Sequence, residues 1–177
     1  VPWKAAIGSV KTASPLGWSR GPMPAQDSVT QIIQSSREQA DLLAQLEKFR
    51  RTITVMFTDI KGSTAYFEKY GAMAGMMMVH QCNDALRQIV ERHDGRVVKT
   101  IGDAIMATFE DCKESVAAAI EMQKQLIVFN APRPEQDHVF IRIGLNYGNG
   151  IVKTNDVFGD VVNVASRVES VAVPEQI

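Results

Sequence analysis

From residue 27 onward the chain switches between two kinds of hydrophobic spacing, and the switches mark out its elements. Val29, Ile32, Ile33, Ala40, Leu43, Leu46 and Phe49 recur at helical intervals, which predicts a helix over 27–50 with Asp27 or Ser28 as its N-cap. Its seam is polar at Ser36 and Gln39, so packing on its own domain is favoured over a parallel coiled coil. Thr52-Ile-Thr-Val-Met-Phe57 then alternates and is β-branched, the pattern of a strand that closes at Asp59-Ile-Lys-Gly-Ser63. A long helix is predicted over 64–92, broken near Gly71, with Met73, Met76, Met77, Val79, Leu86, Ile89 and Val90 as its stripe. Methionine at that spacing serves as core filler or dimer contact. Two strands follow over 96–101 and 104–109, with Gly102-Asp103 as a two-residue hairpin turn. Val116, Ala119, Ile120, Met122, Leu126 and Ile127 mark a second amphipathic helix over 113–129, stopped by Asn130-Ala-Pro-Arg-Pro134. A strand over 139–145, a short strand near 150–153 and a helix over 160–171 complete the pattern.

The order βαββαβ with further elements is the ferredoxin-like plan. It predicts an α+β domain, with helices packed on an antiparallel sheet, over 51–177, preceded by a linker or signalling helix over 27–50. Residues 1–26 carry Pro2, Gly8, Pro15, Gly17, Gly21, Pro22 and Pro24 without periodicity and are expected to be irregular, with Trp3 and Trp18 available for docking. The chain opens without Met and stops where a new strand would begin, so the 51–177 domain is expected to be C-terminally incomplete. Hydrophobic residues at 45% and charged residues at 22% are ordinary globular values. A net charge of -1 removes the basic field needed to grip nucleic acid. No apolar run approaches the ~20 residues that span a bilayer, and a cytoplasmic domain is expected. Cys82 and Cys112 lie in predicted helices without metal-ligand spacing, and both are expected to be reduced and structural.

Two carboxylates stand out. Asp59 after the first strand and Asp103 at the hairpin tip would be neighbours in a ferredoxin-like sheet, although each alone is an ordinary cap or turn residue. A pair of aspartates suffices for Mg²⁺ when a triphosphate supplies the other ligands. The turn Asp59-Ile-Lys-Gly-Ser-Thr64 leads into a helix and offers backbone N–H groups to phosphate, with Lys61 either touching phosphate or solvated. Asn163 and Arg167, four apart, share one face of the last helix behind Asp160. Lys99 sits mid-strand among Val97, Val98 and Ile101. His80, His93 and His138 have no metal-spaced partners and are expected to be exposed or structural.

Phe57-Thr-Asp-Ile-Lys-Gly-Ser-Thr64, Val98-Lys-Thr-Ile-Gly-Asp-Ala-Ile-Met106, Ile141-Arg-Ile-Gly-Leu145 and Asp156-Val-Phe-Gly-Asp-Val-Val-Asn-Val-Ala-Ser-Arg167 together resemble, in order and spacing, the class III nucleotidyl cyclase catalytic domain. The resemblance covers about 52–177, roughly the first two thirds of such a domain. It implies that Asp59 and Asp103, with the carbonyl of Ile60, bind two Mg²⁺ or Mn²⁺ ions. It implies that Lys99 and Asp156 recognise the purine, that Asn163 orients the ribose, that Arg167 meets charge on the α-phosphate and that Arg142 contacts the triphosphate. Adenine presents a ring acceptor and an amino donor, which call for a donor, Lys99, and an acceptor, Asp156. Guanine presents the reverse, so the expected activity is adenylyl cyclase, ATP to cyclic AMP. The resemblance also implies a head-to-tail homodimer with shared sites, and an upstream sensor. A catalytically weak nucleotide-binding regulatory module is the alternative, drawn from the short arm Lys153-Thr-Asn155 before Asp156 and from a triphosphate-binding lysine that relatives carry beyond this chain's end.

Overall fold

The computed structural model describes residues 26–177, with side chains from residue 34 onward. The expected irregular segment, with Trp3 and Trp18, lies outside the described residues up to residue 25. Two compact units divide at Leu42 and Leu43. The described part of the first is helical, the start of α1 (Gln26–Glu47), on which Leu42 is exposed.

The second unit, Leu43–Ile177, carries β1 (Arg50–Lys61), α2 (Ser63–Arg92), β2 (Arg96–Ile101), β3 (Ala104–Phe109), α3 (Cys112–Asn130), β4 (Phe140–Lys153), β5 (Asp156–Phe158) and α4 (Asp160–Val171). The strands form one antiparallel sheet in the order β2-β3-β1-β4-β5. That order, with α2 and α3 as the two crossovers, is the expected ferredoxin-like core extended by β5 and α4.

Two strands are longer than their sequence patterns predict, for one reason. β1 is central and pairs with β4 along its whole length, from Arg50 opposite Ile151 to Lys61 opposite Phe140. The ladder carries β1 past Phe57, so Asp59 lies inside the strand rather than in the turn after it. It also fuses the two strands expected at 139–145 and 150–153 into a single β4.

Alternation in the sheet separates two cores. Met56, Ile60, Ile105, Ala107, Phe109, Ile141 and Ile143 point toward α2 and α3. Ile53, Val55, Phe57 and Met106 point to the other face, where Val161 and Ala165 of α4 cover them. On α2 the backbone breaks at Gly71 (φ 82°) as expected. After the break the buried stripe runs Gly75, Met78, Cys82, Leu86, Ile89. That phase leaves Met73, Met76 and Met77 at 75%, 64% and 56% exposure, so they are not core filler within this chain. Both cysteines are free, and burial pushes the Cys82 thiol up to about 12, which keeps it protonated and inert. Among the described residues no helix is long and apolar enough to cross a membrane.

Candidate active site

The face of the sheet covered by α4 gathers two groups of polar side chains. The first is built across the β1–β4 ladder, where Asp59 stands opposite Arg142. Arg142 Nη2 donates to Asp59 Oδ2 and lies 3.1 Å from Glu169 Oε1, while Nη1 donates to the carbonyl of Ser170 at 3.2 Å. Asp59, then Glu169, hold the guanidinium firmly in its charged form. Burial raises the pKa of Glu169, and the Arg142 charge opposes that rise. Glu169 can reach this deep because α4 rides directly on β4 at Gly144. A Cβ there would fall 2.2 Å from Glu169 N and 2.5 Å from Ala165 O.

Asp103 completes the group at the β2–β3 tip. Gly102 has φ 63° and Asp103 does not share the positive value, the signature of a two-residue II′ turn. Asp103 Oδ2 is buried without a hydrogen-bond partner, and the Asp103 charge acts on both Arg142 and Glu169. The β1–β3 ladder ends at Thr58 opposite Ile105, so Asp59 and Ile60 project past the paired stretch toward Asp103's side. Among the described residues no group of three or more His, Cys, Asp or Glu forms a metal cage. Two hard carboxylates, one with an orphaned buried oxygen, at a strand end that pairs with β4 but is left open on its β3 side, fit a cation that takes its remaining ligands from phosphates and water. Beside them α2 starts after Gly62 with no side-chain cap, leaving first-turn N–H groups for phosphate oxygens. Ser63, Thr64 and Asp103 share a pocket of ≈ 640 Å³.

The second group forms where the sheet curls enough for its edge strands to meet. Lys99 Nζ on β2 donates to both carboxylate oxygens of Asp156 on β5, at 2.8 and 2.9 Å. Lys99, then the N–H of Val157, hold the Asp156 carboxyl below its ordinary value. Lys99 faces this side because β2 bulges between Val97 and Lys99. Val97 pairs with Ala107 of the α2–α3 core, and after the bulge Lys99 pairs with Met106 of the α4 core. Strict alternation would have driven the ammonium under the helices. Lys99, Asp156 and Asn163 line one pocket of ≈ 530 Å³ with Phe57, Met106 and Val162. Asn163 and Arg167 lie on the outer side of α4. Arg167 is 72% exposed, with Nε donating to Asn163 O at 3.3 Å and Nη2 3.7 Å from Asp160. No hydrogen bond or ion pair among the described residues joins Asn163 or Arg167 to Asp59 or Asp103.

The structure thus brings together Asp59, Asp103 and Arg142 in one group, and Lys99, Asp156 and Asn163 in another, with Arg167 projecting beside the second. Sequence reasoning missed Glu169. The signal was present, since Val161, Ala165 and Glu169 are spaced by four, which places a carboxylate on the inward stripe of α4.

Residues 46–177 match the family described as the adenylate and guanylate cyclase catalytic domain. The chain is 30% identical over 125 residues, 71% of its length, to the putative adenylate cyclase 3 of Rhizobium meliloti (strain 1021), of which it spans 21%. It is 36% identical over 138 residues, 67% of its length, to an adenylate cyclase of Anabaena cylindrica, of which it spans 27%. In structure it is similar to the adenylyl cyclase CyaB from P. aeruginosa, with TM-score 0.67 and 27% identity over 71% of this chain and 74% of that one.

Proposed function

The chain belongs to the class III adenylate and guanylate cyclase catalytic-domain family, and from that premise we propose that it is an adenylyl cyclase, forming 3′,5′-cyclic AMP and pyrophosphate from ATP. The observation that carries the choice of ATP is the Lys99–Asp156 ion pair in the wall of the pocket that also holds Asn163. Opened by an entering base, the pair offers one N–H donor and one carboxylate acceptor, matching the ring nitrogen and amino group of adenine. Phe57 and Met106 supply the apolar wall.

In the reaction the ribose 3′-oxygen attacks the α-phosphorus, the bond from that phosphorus to the oxygen bridging to the β-phosphate breaks, and the 3′-hydroxyl proton leaves to solvent. Asp59, Asp103 and the carbonyl of Ile60 would hold two Mg²⁺ or Mn²⁺ ions, which when bound lower the pKa of the 3′-hydroxyl and neutralise the departing pyrophosphate. Asn163 holds the ribose so that the 3′-oxygen is in line. Arg167 places fixed positive charge where the α-phosphate becomes more negative. Arg142 and the uncapped start of α2 receive the triphosphate.

Two copies make the site. The metal-binding aspartates and the purine and ribose residues form separate groups in one chain, and a two-fold pairing sets each group of one protomer against the other group of its partner. α1 enters β1 directly and is placed to carry a signal from a sensor domain upstream, in a protein of which this chain, like its place in the relatives above, is a part.

The test supplies the folded dimer with ATP or GTP and Mn²⁺ or Mg²⁺. Cyclic AMP is expected, with ATP preferred over GTP. A preference for GTP would overturn the substrate, and nucleotide binding without any turnover would favour the regulatory-module reading.

A further inference from the structure

Arg142 and Glu169 each leave one buried polar atom idle. Arg142 Nε has no hydrogen-bond partner, and neither has Glu169 Oε1, although that oxygen is 3.1 Å from Arg142 Nη2. The contact is close but misaligned, because the guanidinium directs its hydrogen bond at Asp59 Oδ2. One N–H short of an acceptor and one carboxylate oxygen short of a donor are mutually corrective. Turning the guanidinium away from Asp59 and toward Glu169 would satisfy both.

We propose that Glu169 is a positioning residue: it receives Arg142 when a divalent cation takes Asp59, so that Arg142 changes from the counter-ion of Asp59 to a ligand for phosphate held on Glu169. The inference rests on the metal-site reading above. Arg142 and a cation compete for the same carboxylate, and a guanidinium released into a site where it is 24% exposed needs another anion. Glu169, at 13% exposure, is the anion in reach. Its position is fixed, because the α4 backbone at Glu169 lies against β4 at Gly144 with no room for a methyl group between them. Asp103 cannot take this part, since it is one of the two carboxylates the cation needs.

Binding of Mn²⁺ alone to the nucleotide-free protein, followed by the loss of the free-ion EPR signal, tests the exchange without reference to turnover. Wild-type protein is expected to bind through Asp59, with binding lost in D59N. E169Q is expected to weaken Mn²⁺ binding by about 10–100-fold, the range for residues that orient a ligand sphere. In an R142Q background, where no guanidinium needs a new partner, E169Q is expected to add no further loss. An equal loss in both backgrounds would show Glu169 acting by its own charge and would overturn the proposal. So would Asp59-dependent binding that E169Q leaves unchanged. No Asp59-dependent binding in the wild type would instead overturn the metal-site reading itself. If E169Q does not fold, NMR on wild-type protein decides. The Arg142 Nε–H signal, assigned by its absence in R142Q, is expected to exchange more slowly with water once Mg²⁺ is added, and an unchanged exchange rate overturns the proposal.

Discussion

Lys99 owes its orientation to one extra residue in β2. The bulge at Val98 turns the ammonium onto the α4 face, where Asp156 meets it in a two-oxygen contact. Replacing Lys99 with Ala removes a charge-assisted donor, about 1.5–3 kcal/mol, so kcat/KM for ATP should fall by about 10–100-fold. A variant that keeps wild-type kcat/KM would show that Lys99 does not read the base. His93 illustrates a different use of charge. Its ring nitrogens contact Glu114 at 2.7 Å and Glu121 at 2.8 Å, tying the end of α2 to α3. Glu114, then Glu121, raise the imidazole pKa above its ordinary value. The stabilisation is therefore complete below the unfolded-state pKa, about 6.5, and is lost as pH rises through the raised folded-state value. Urea midpoints followed from mildly acidic to mildly alkaline pH should fall more steeply for wild type than for His93→Gln; parallel slopes would show that the clasp contributes nothing. Lys99, Asp156 and the two aspartates were singled out in the sequence because each belongs to a motif in fixed order. His93 was expected to be exposed or structural without its partners being identified, and Glu169 was not singled out, since the partners of both are 21 or more residues away and only the fold brings them together.

At the scale of elements, α4 matters most, because one helix presents Asn163 and Arg167 outward and Glu169 inward. Its seating depends on Gly144, where the strand has no side chain to hold the helix off. Gly144→Ala would push a methyl group into backbone that cannot yield as a side chain would. It should cost at least the ~1–3 kcal/mol typical of overpacking, measurable by equilibrium denaturation. Unchanged stability would contradict the close approach. Most elements and their order were legible from periodicity, down to the Gly71 break and the Gly102-Asp103 turn, but one strand was read as two and the short β5 was not predicted. Strand ends were not legible. The β1–β4 ladder extends each strand beyond its alternating core, because pairing with a neighbour, rather than local pattern, decides where a central strand stops. Part of the α2 stripe was also misjudged, since the inward positions after Gly71 run Gly75, Met78, Cys82, Leu86 and Ile89, and Met73, Met76 and Met77 fall off that line.

At the scale of the molecule, the sheet holds Asp59, Arg142 and Asp103 in one group around the ends of β1 and the β2–β3 turn, and Lys99, Asp156 and Asn163 around a separate pocket where β2 meets β5. No hydrogen bond or ion pair among the described residues joins the two groups, and under the proposed function a symmetric pair of chains completes both. The shared site predicts complementation between defective chains. A chain carrying D59N and D103N should be inactive, as should a chain carrying N163A and R167A. Mixed in equal amounts and allowed to exchange subunits, they should produce cyclic AMP from ATP at about a quarter of the wild-type rate, since half of the dimers are mixed and each of those has one intact site. A mixture that stays inactive while the wild-type dimer turns over, with subunit exchange verified, would contradict a site built from two copies of this chain.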